Sequence, residues 1–208
     1  MAGLLPDGEH TEEAFTDRRA GDEPVRGASF VDCTFTGCDL EGLELVGGEL
    51  DGCTFTDCNL SLLRPVDTRI SETRFTRCKL TGVDWTLAAW PHLAVSDLVA
   101  FERCRLDHST FAGLRLPEVR FHRCSLREVD LSECDLSGAS FVHSELDGAH
   151  LARTDLSGAH LEGATGYRID VRSNQLRGAT VSLPEAASFL AQLGLEVVEP
   201  PPTDDGEG

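Results

Sequence analysis

The sequence predicts an all-β solenoid with square coils, ending in a short α-helix. Three observations carry this: a five-residue apolar period, phenylalanines that recur at multiples of it, and one segment with helix punctuation near the end. From Phe30 onward every fifth residue reads Phe30, Phe35, Leu40, Leu45, Leu50, Phe55, Leu60, Pro65, Ile70, Phe75, Leu80, Trp85, with Pro65 the one departure from a large apolar type. The frame then moves by one, and thirteen successive centres from Phe101 to Leu161 are all Leu or Phe. A period of five matches neither the 3.6-residue helix nor the two-residue strand. The chain must therefore turn a corner every five residues, and four corners close a coil of about 20 residues. Phe35, Phe55 and Phe75 fall in one column at that spacing, and Phe101, Phe121 and Phe141 in another.

Residues 1–27 fail the pattern, because the slot two before each centre would hold Glu13, Arg18 and Glu23; a polar cap or flexible lead is expected there. The coils proper are expected over 28–181. Two residues before each centre stands a small uncharged residue, and all eight cysteines (Cys33, Cys38, Cys53, Cys58, Cys78, Cys104, Cys124, Cys134) fall on that slot. Free cysteine is a small buried residue type, so these read as core rather than as disulfides or metal ligands, although stacked cysteines would lie within disulfide reach. The frame shift places Phe75 and Phe101 26 residues apart, so six residues are extruded near 86–98. Trp90, Pro91 and His92 at its middle read either as a projecting partner-binding tip or as rings covering an irregular coil.

After Ala164 the repeat loosens. Ser182 and Glu185 stand at capping-box spacing, Pro184 is tolerated in a first turn, and Gly194 is a natural stop, so a helix is expected there. Leu183, Leu190 and Leu193 lie on one face of it and are assigned to capping the open end or to pairing with a second copy. A short strand should follow at 195–198. Residues 200–208 are a Pro-rich acidic tail expected to be disordered.

The 208-residue chain carries 36 acidic against 18 basic residues, a net charge of -18. Such a balance excludes a protein that grips nucleic acid through Lys and Arg. Charge is unevenly placed: 28–63 has seven acids and no base, while 64–127 has seven acids and eleven bases. No apolar run reaches the roughly 18 residues of a membrane span, and no basic-then-apolar leader opens the chain; the expectation is a cytoplasmic protein. The seven histidines are expected on outward positions. No metalloprotease, phosphate-loop or nucleophile-elbow motif occurs, so neither enzyme activity, cofactor nor metal is expected.

The pentads Cys134-Asp135-Leu136-Ser137-Gly138, Thr154-Asp155-Leu156-Ser157-Gly158 and Ala159-His160-Leu161-Glu162-Gly163 resemble the A(D/N)Lxx consensus of the pentapeptide-repeat family. The resemblance implies a right-handed quadrilateral β-helix with the centre and the slot two before it turned inward. Length, interrupting loop and helical end are similar to the branch of quinolone-resistance proteins that bind DNA gyrase and topoisomerase IV as DNA mimics and dimerise through the C-terminal segment. A homodimer with such a topoisomerase as partner follows from that resemblance; the competing reading is a generic interaction scaffold with an unrelated partner. The mimicking surface is assigned to Asp130, Glu133, Asp135, Glu145, Asp147 and Asp155.

Overall fold

The computed structural model of the chain describes residues 5–91, 98–183, 185–196 and 198. The chain winds as a parallel β-solenoid of about eight turns. One face is a six-stranded sheet of Ala14–Thr16, Thr34–Thr36, Thr54–Thr56, Thr73–Thr76, Val99–Glu102 and Arg120–His122. Along it Phe15, Phe35, Phe55, Phe75, Phe101, Phe121 and Phe141 stack with centroids 4.3 to 5.4 Å apart and near-parallel rings. A second face stacks Glu9–Thr11, Ser29–Val31, Glu49–Asp51 and Arg69–Ser71. A third stacks Val25–Arg26, Glu44–Val46 and Arg64–Val66. The fourth is a ladder of single bridges from Arg19–Asp39 to Glu145–Thr165. Each coil is short of the area needed to bury its own apolar centre, so the core forms only by stacking, and it runs unbroken from Leu5 to Ile169.

Corners are made by backbone in the left-handed region. Sixteen non-glycine residues in the described chain have φ between 48° and 60°, Asp57, Arg77, Arg103 and Glu118 among them. That conformation costs an L residue roughly 1 to 2 kcal/mol, which the stacking of each coil on its neighbours must offset.

The inward slot closes the corner in two ways. Where it holds Ala, Val or Leu, its N–H usually bonds the centre three residues back, as in Ala139 to Leu136 (3.0 Å), Ala159 to Leu156 (3.0 Å) and Leu43 to Leu40 (3.1 Å). This is the hydrogen bond of a β-turn with its third residue left-handed. Where it holds Cys, the thiol donates instead. Cys58 Sγ reaches the Thr56 carbonyl (3.3 Å) and the Phe35 carbonyl of the coil below (3.5 Å), and Cys104 repeats this with Glu102 and Phe75. Thr73 and Thr154 use their hydroxyls in the same way. All eight cysteines are buried and free; the slot uses their S–H as well as their size.

The structure corrects several expectations and decides an open one, the placement of Trp90. Residues 5–27 form the first coil, not a flexible lead: Glu9–Thr11 and Ala14–Thr16 pair in register with the next coil, and Phe15 stacks on Phe35 at 5.0 Å. Glu13 stays exposed there because nothing stacks beneath it. His10 is not outward; it takes a centre position and stacks on Phe30 at 5.2 Å. The frame shift is confirmed by the pairing of Phe75 with Phe101, but the described part of the insertion packs against the core. Trp85 is fully buried, and Trp90, 20 residues beyond Ile70, is half-buried against the core and donates Nε1–H to the Trp85 carbonyl at 2.7 Å. Pro91 is also half-buried, and His92 lies outside the described residues. The helix is the two turns of Ala186–Gln192 without a side-chain cap, because the Ser182 hydroxyl instead accepts from the Gly163 N–H at 3.0 Å. Pro184 and the acidic tail from 199 onward are outside the described residues, and the described part of 195–198 is not in a strand. Gly194 does end the helix: at φ +78° its N–H bonds Ala191 and that of Leu195 bonds Leu190, the paired closure of a left-handed C-terminal residue.

Candidate functional site

A solenoid offers faces and corners rather than a cleft. Asp130, Asp135 and Asp155, assigned to the outward surface, are half-buried and tied to the backbone. Asp135 Oδ1 accepts from the Ser137 N–H (3.2 Å) and hydroxyl (2.7 Å), Asp130 from the Ser132 N–H (2.9 Å), and Asp155 from the Ser157 N–H (2.9 Å). Each is an Asx turn that presets the following corner. Nor do the six assigned acids share a surface. Asp135 and Asp155 stack on one face, Asp130 stands between Thr110 and His150 on another, and Glu145 between Ser125 and Thr165 on a third. Glu145 is paired with Arg127 at 2.6 Å and Glu133 with Arg153; Asp147 is exposed and makes no ion pair with a described residue.

A different set of carboxylates converges. Glu12, Asp32, Glu72 and Glu118 are all exposed, all left-handed, and all at the same corner, between the Phe30 face and the Phe35 face. Gly52 and Leu98 fill the two coil positions between them, and Gly138, Gly158 and Gly178 continue the column without a side chain. Over five coil intervals of about 4.8 Å the ridge spans roughly 24 Å. None of the four makes an ion pair with a described residue. They were legible in the sequence as the residues two after every fourth centre, but a search for Asp before Leu passes over them.

The bridge-ladder face of the middle coils is basic. Arg77, Arg103 and Arg123 stack at its corner and Lys79 and Arg105 on its surface. Arg77 forks onto Asp57 with two 2.7 Å bonds, which hold the Asp57 carboxyl below the usual carboxylate range. At the C-terminal end, Leu183, Leu190 and Leu193 are 76%, 39% and 61% exposed, so they do not cover the core. Phe189 does, with its ring 6.0 Å from that of Tyr167, and Gln192 bonds the Val171 N–H and the Ile169 carbonyl. Leu195 and Val198 are exposed as well. Among the described residues no group of three or more metal-capable side chains comes together, and no helix is long and apolar enough to cross a membrane.

Comparison with known proteins bears directly on the repeat. A comparison with curated protein sequences finds no match. Solved structures of QnrB1, a plasmid-mediated fluoroquinolone resistance protein, superpose on the chain. A trypsin-treated variant gives a TM-score of 0.65 at 17% identity, covering 96% of this chain and 100% of that one. The full-length protein gives 0.56 at 17% identity, covering 90% and 100%. The pentapeptide repeat region profile matches residues 28–111, and the eight-copy pentapeptide repeat profile matches 104–141 and 134–165. With the five-residue core period now seen to stack as a four-sided coil, the chain belongs to the pentapeptide-repeat family.

Proposed function

We propose that the chain is a non-catalytic protein that binds a DNA topoisomerase of the gyrase or topoisomerase IV type, offering carboxylates where the enzyme's DNA-binding surface takes phosphates, and thereby modulates it or protects it from inhibitors. The observation that carries this is the ridge of Glu12, Asp32, Glu72 and Glu118: four exposed carboxylates, unpaired among the described residues, on one corner of a chain with net charge -18. Rigidity matters, because a flexible acidic segment would lose backbone freedom on docking, whereas the backbone of these residues is already held in line. The charge density is lower than that of B-DNA, which has one charge per about 1.7 Å of axis, so the ridge fits a subset of phosphate contacts. The solenoid likeness to a fluoroquinolone resistance protein supports the choice of topoisomerase over other basic partners. The exposed Leu183, Leu190, Leu193 and Leu195 side chains support pairing of two copies end to end, which would place a second ridge on the far half of the pair.

Purified gyrase tests this in a supercoiling assay with and without a quinolone, alongside direct binding at rising salt. The expected result is inhibition or protection, with affinity falling steeply between low and high salt as ion contacts are screened. Absence of binding at low salt would overturn the reading in favour of a scaffold for an unrelated partner.

A further inference from the structure

The basic face contradicts the charge of the rest of the chain and has no role in the reading above. A groove of about 700 Å³ runs over it, lined by Arg77, Lys79, Arg103, Arg105, Arg123 and Arg127. Two of these are committed: Arg77 to Asp57 at 2.7 Å and Arg127 to Glu145 at 2.6 Å. The other four are not. Arg103 and Arg105 stand 3.9 and 3.7 Å from Glu102 and Asp107, beyond hydrogen-bond distance, and Lys79 and Arg123 make no ion pair with a described residue. Four underused cations thus gather on three consecutive coils, spaced as their Phe75, Phe101 and Phe121 centroids are, 5.2 to 5.3 Å apart.

We infer that this groove binds a compact oligophosphate, the phosphate chain of a nucleotide or of inorganic polyphosphate. Arginine forks suit phosphate and carboxylate alike, so spacing and extent decide. An extended acidic peptide presents same-face carboxylates every two residues, about 6.6 Å apart, which slips out of step with cations every 5.2 to 5.3 Å. A single carboxylate leaves most of the charge unmatched. A nucleic-acid strand needs a long track, and this one is closed at both ends: Asp57 and Asp39 lie below it, and Glu145 and Asp147 above. Arg103 and Arg105 are only loosely paired, and with Lys79 and Arg123 they give four cations without a hydrogen-bonded carboxylate; a short anion carrying three or four charges on adjacent oxygens matches that number and the length of the groove.

Calorimetric titration of the full chain at low salt decides this, with sodium tripolyphosphate, ATP, hexaglutamate and a 12-nucleotide single strand as probes. Tripolyphosphate should bind one per chain. Lys79→Gln with Arg123→Gln should weaken it at least tenfold at an unchanged melting temperature, while Arg172→Gln, remote from the groove, should leave it unaltered. ATP equal to tripolyphosphate would assign the phosphate chain alone, and ATP tighter would assign the nucleotide; either supports the site. No tripolyphosphate binding, binding indifferent to the Lys79 and Arg123 change, or tighter binding of the strand or the peptide would overturn it. Since none of these readouts involves a topoisomerase, failure here leaves the ridge reading untouched.

Discussion

The first and last coils share one apolar column yet close their corners differently. Through Arg120–His122 most faces carry three- or four-residue strands, and the slot residue is typically Cys or Thr donating to two carbonyls. Beyond Ser125 the faces shrink largely to single bridges, and the slot is mostly Ala or Val with a β-turn bond, as at Val129, Ala139, Ala149, Ala159 and Ala164. The acids follow the same division. In the late coils Asp130, Asp135 and Asp155 spend their oxygens on the backbone, whereas three of the four ridge acids, Glu12, Asp32 and Glu72, lie in the early coils with their carboxylates unpaired. A carboxylate count therefore misjudges which half carries the carboxylates not tied to the backbone.

The contrast can be broken at several points. Leu136→Ala should cost about 2 to 5 kcal/mol, since its side chain is fully buried in the stack. Asp135→Ala beside it should cost about 1 kcal/mol for the lost turn bonds; equal losses in denaturant melts would contradict the assigned frame. In the early half, Gly48 sits over Ala28, where a Cβ would meet the Ala28 carbonyl oxygen at 2.5 Å. Gly48→Val should therefore cost about 1 to 3 kcal/mol through overpacking, and a neutral result would mean the coils separate more easily than the stack implies. Cys58→Ala should lose roughly 1 kcal/mol or more with its donor, while Cys58→Ser keeps an O–H and should lose less. Identical melts of the two would show that size alone fills the slot.

Alkaline pH gives the gentlest test. Burial pushes the Cys53 and Cys134 thiols up from 9.0 to about 12. A raised folded-state pKa stabilises the fold fully below the unfolded value, and that contribution is lost as pH climbs toward the folded one. The urea midpoint should hold to about pH 9 and decline from there toward 12; a midpoint unchanged at pH 11 would argue against buried neutral thiols.

Most of the fold was legible because the solenoid repeats a rule simple enough to show in one chain: Leu136 or Phe121 recurs every five residues whatever surrounds it. The first coil was hidden because Glu13 and Arg18 occupy slots that are apolar elsewhere: Glu13 faces solvent where stacking begins, and Arg18 lays its guanidinium over the Phe15 ring at 5.9 Å. Trp90 was ambiguous because an aromatic at an insertion reads equally as anchor or as lid, and only the bond to the Trp85 carbonyl decides. The helix cap was misread because Ser182 had a competing donor, the Gly163 N–H, that sequence neighbours do not reveal. The ridge escaped notice because its members are 20 to 46 residues apart and take meaning only once the coils are stacked.

The most direct test reverses charge on the two acidic sets separately. Glu12, Asp32, Glu72 and Glu118 changed together to Lys should abolish inhibition or protection of gyrase in a supercoiling assay while far-ultraviolet circular dichroism stays that of the parent. Asp130, Asp135 and Asp155 changed to Lys should lower the melting temperature but, below it, leave the effect on gyrase largely intact. The reverse outcome, with the late-coil triple abolishing activity and the ridge variant keeping it, would contradict the assignment of the partner surface to the ridge.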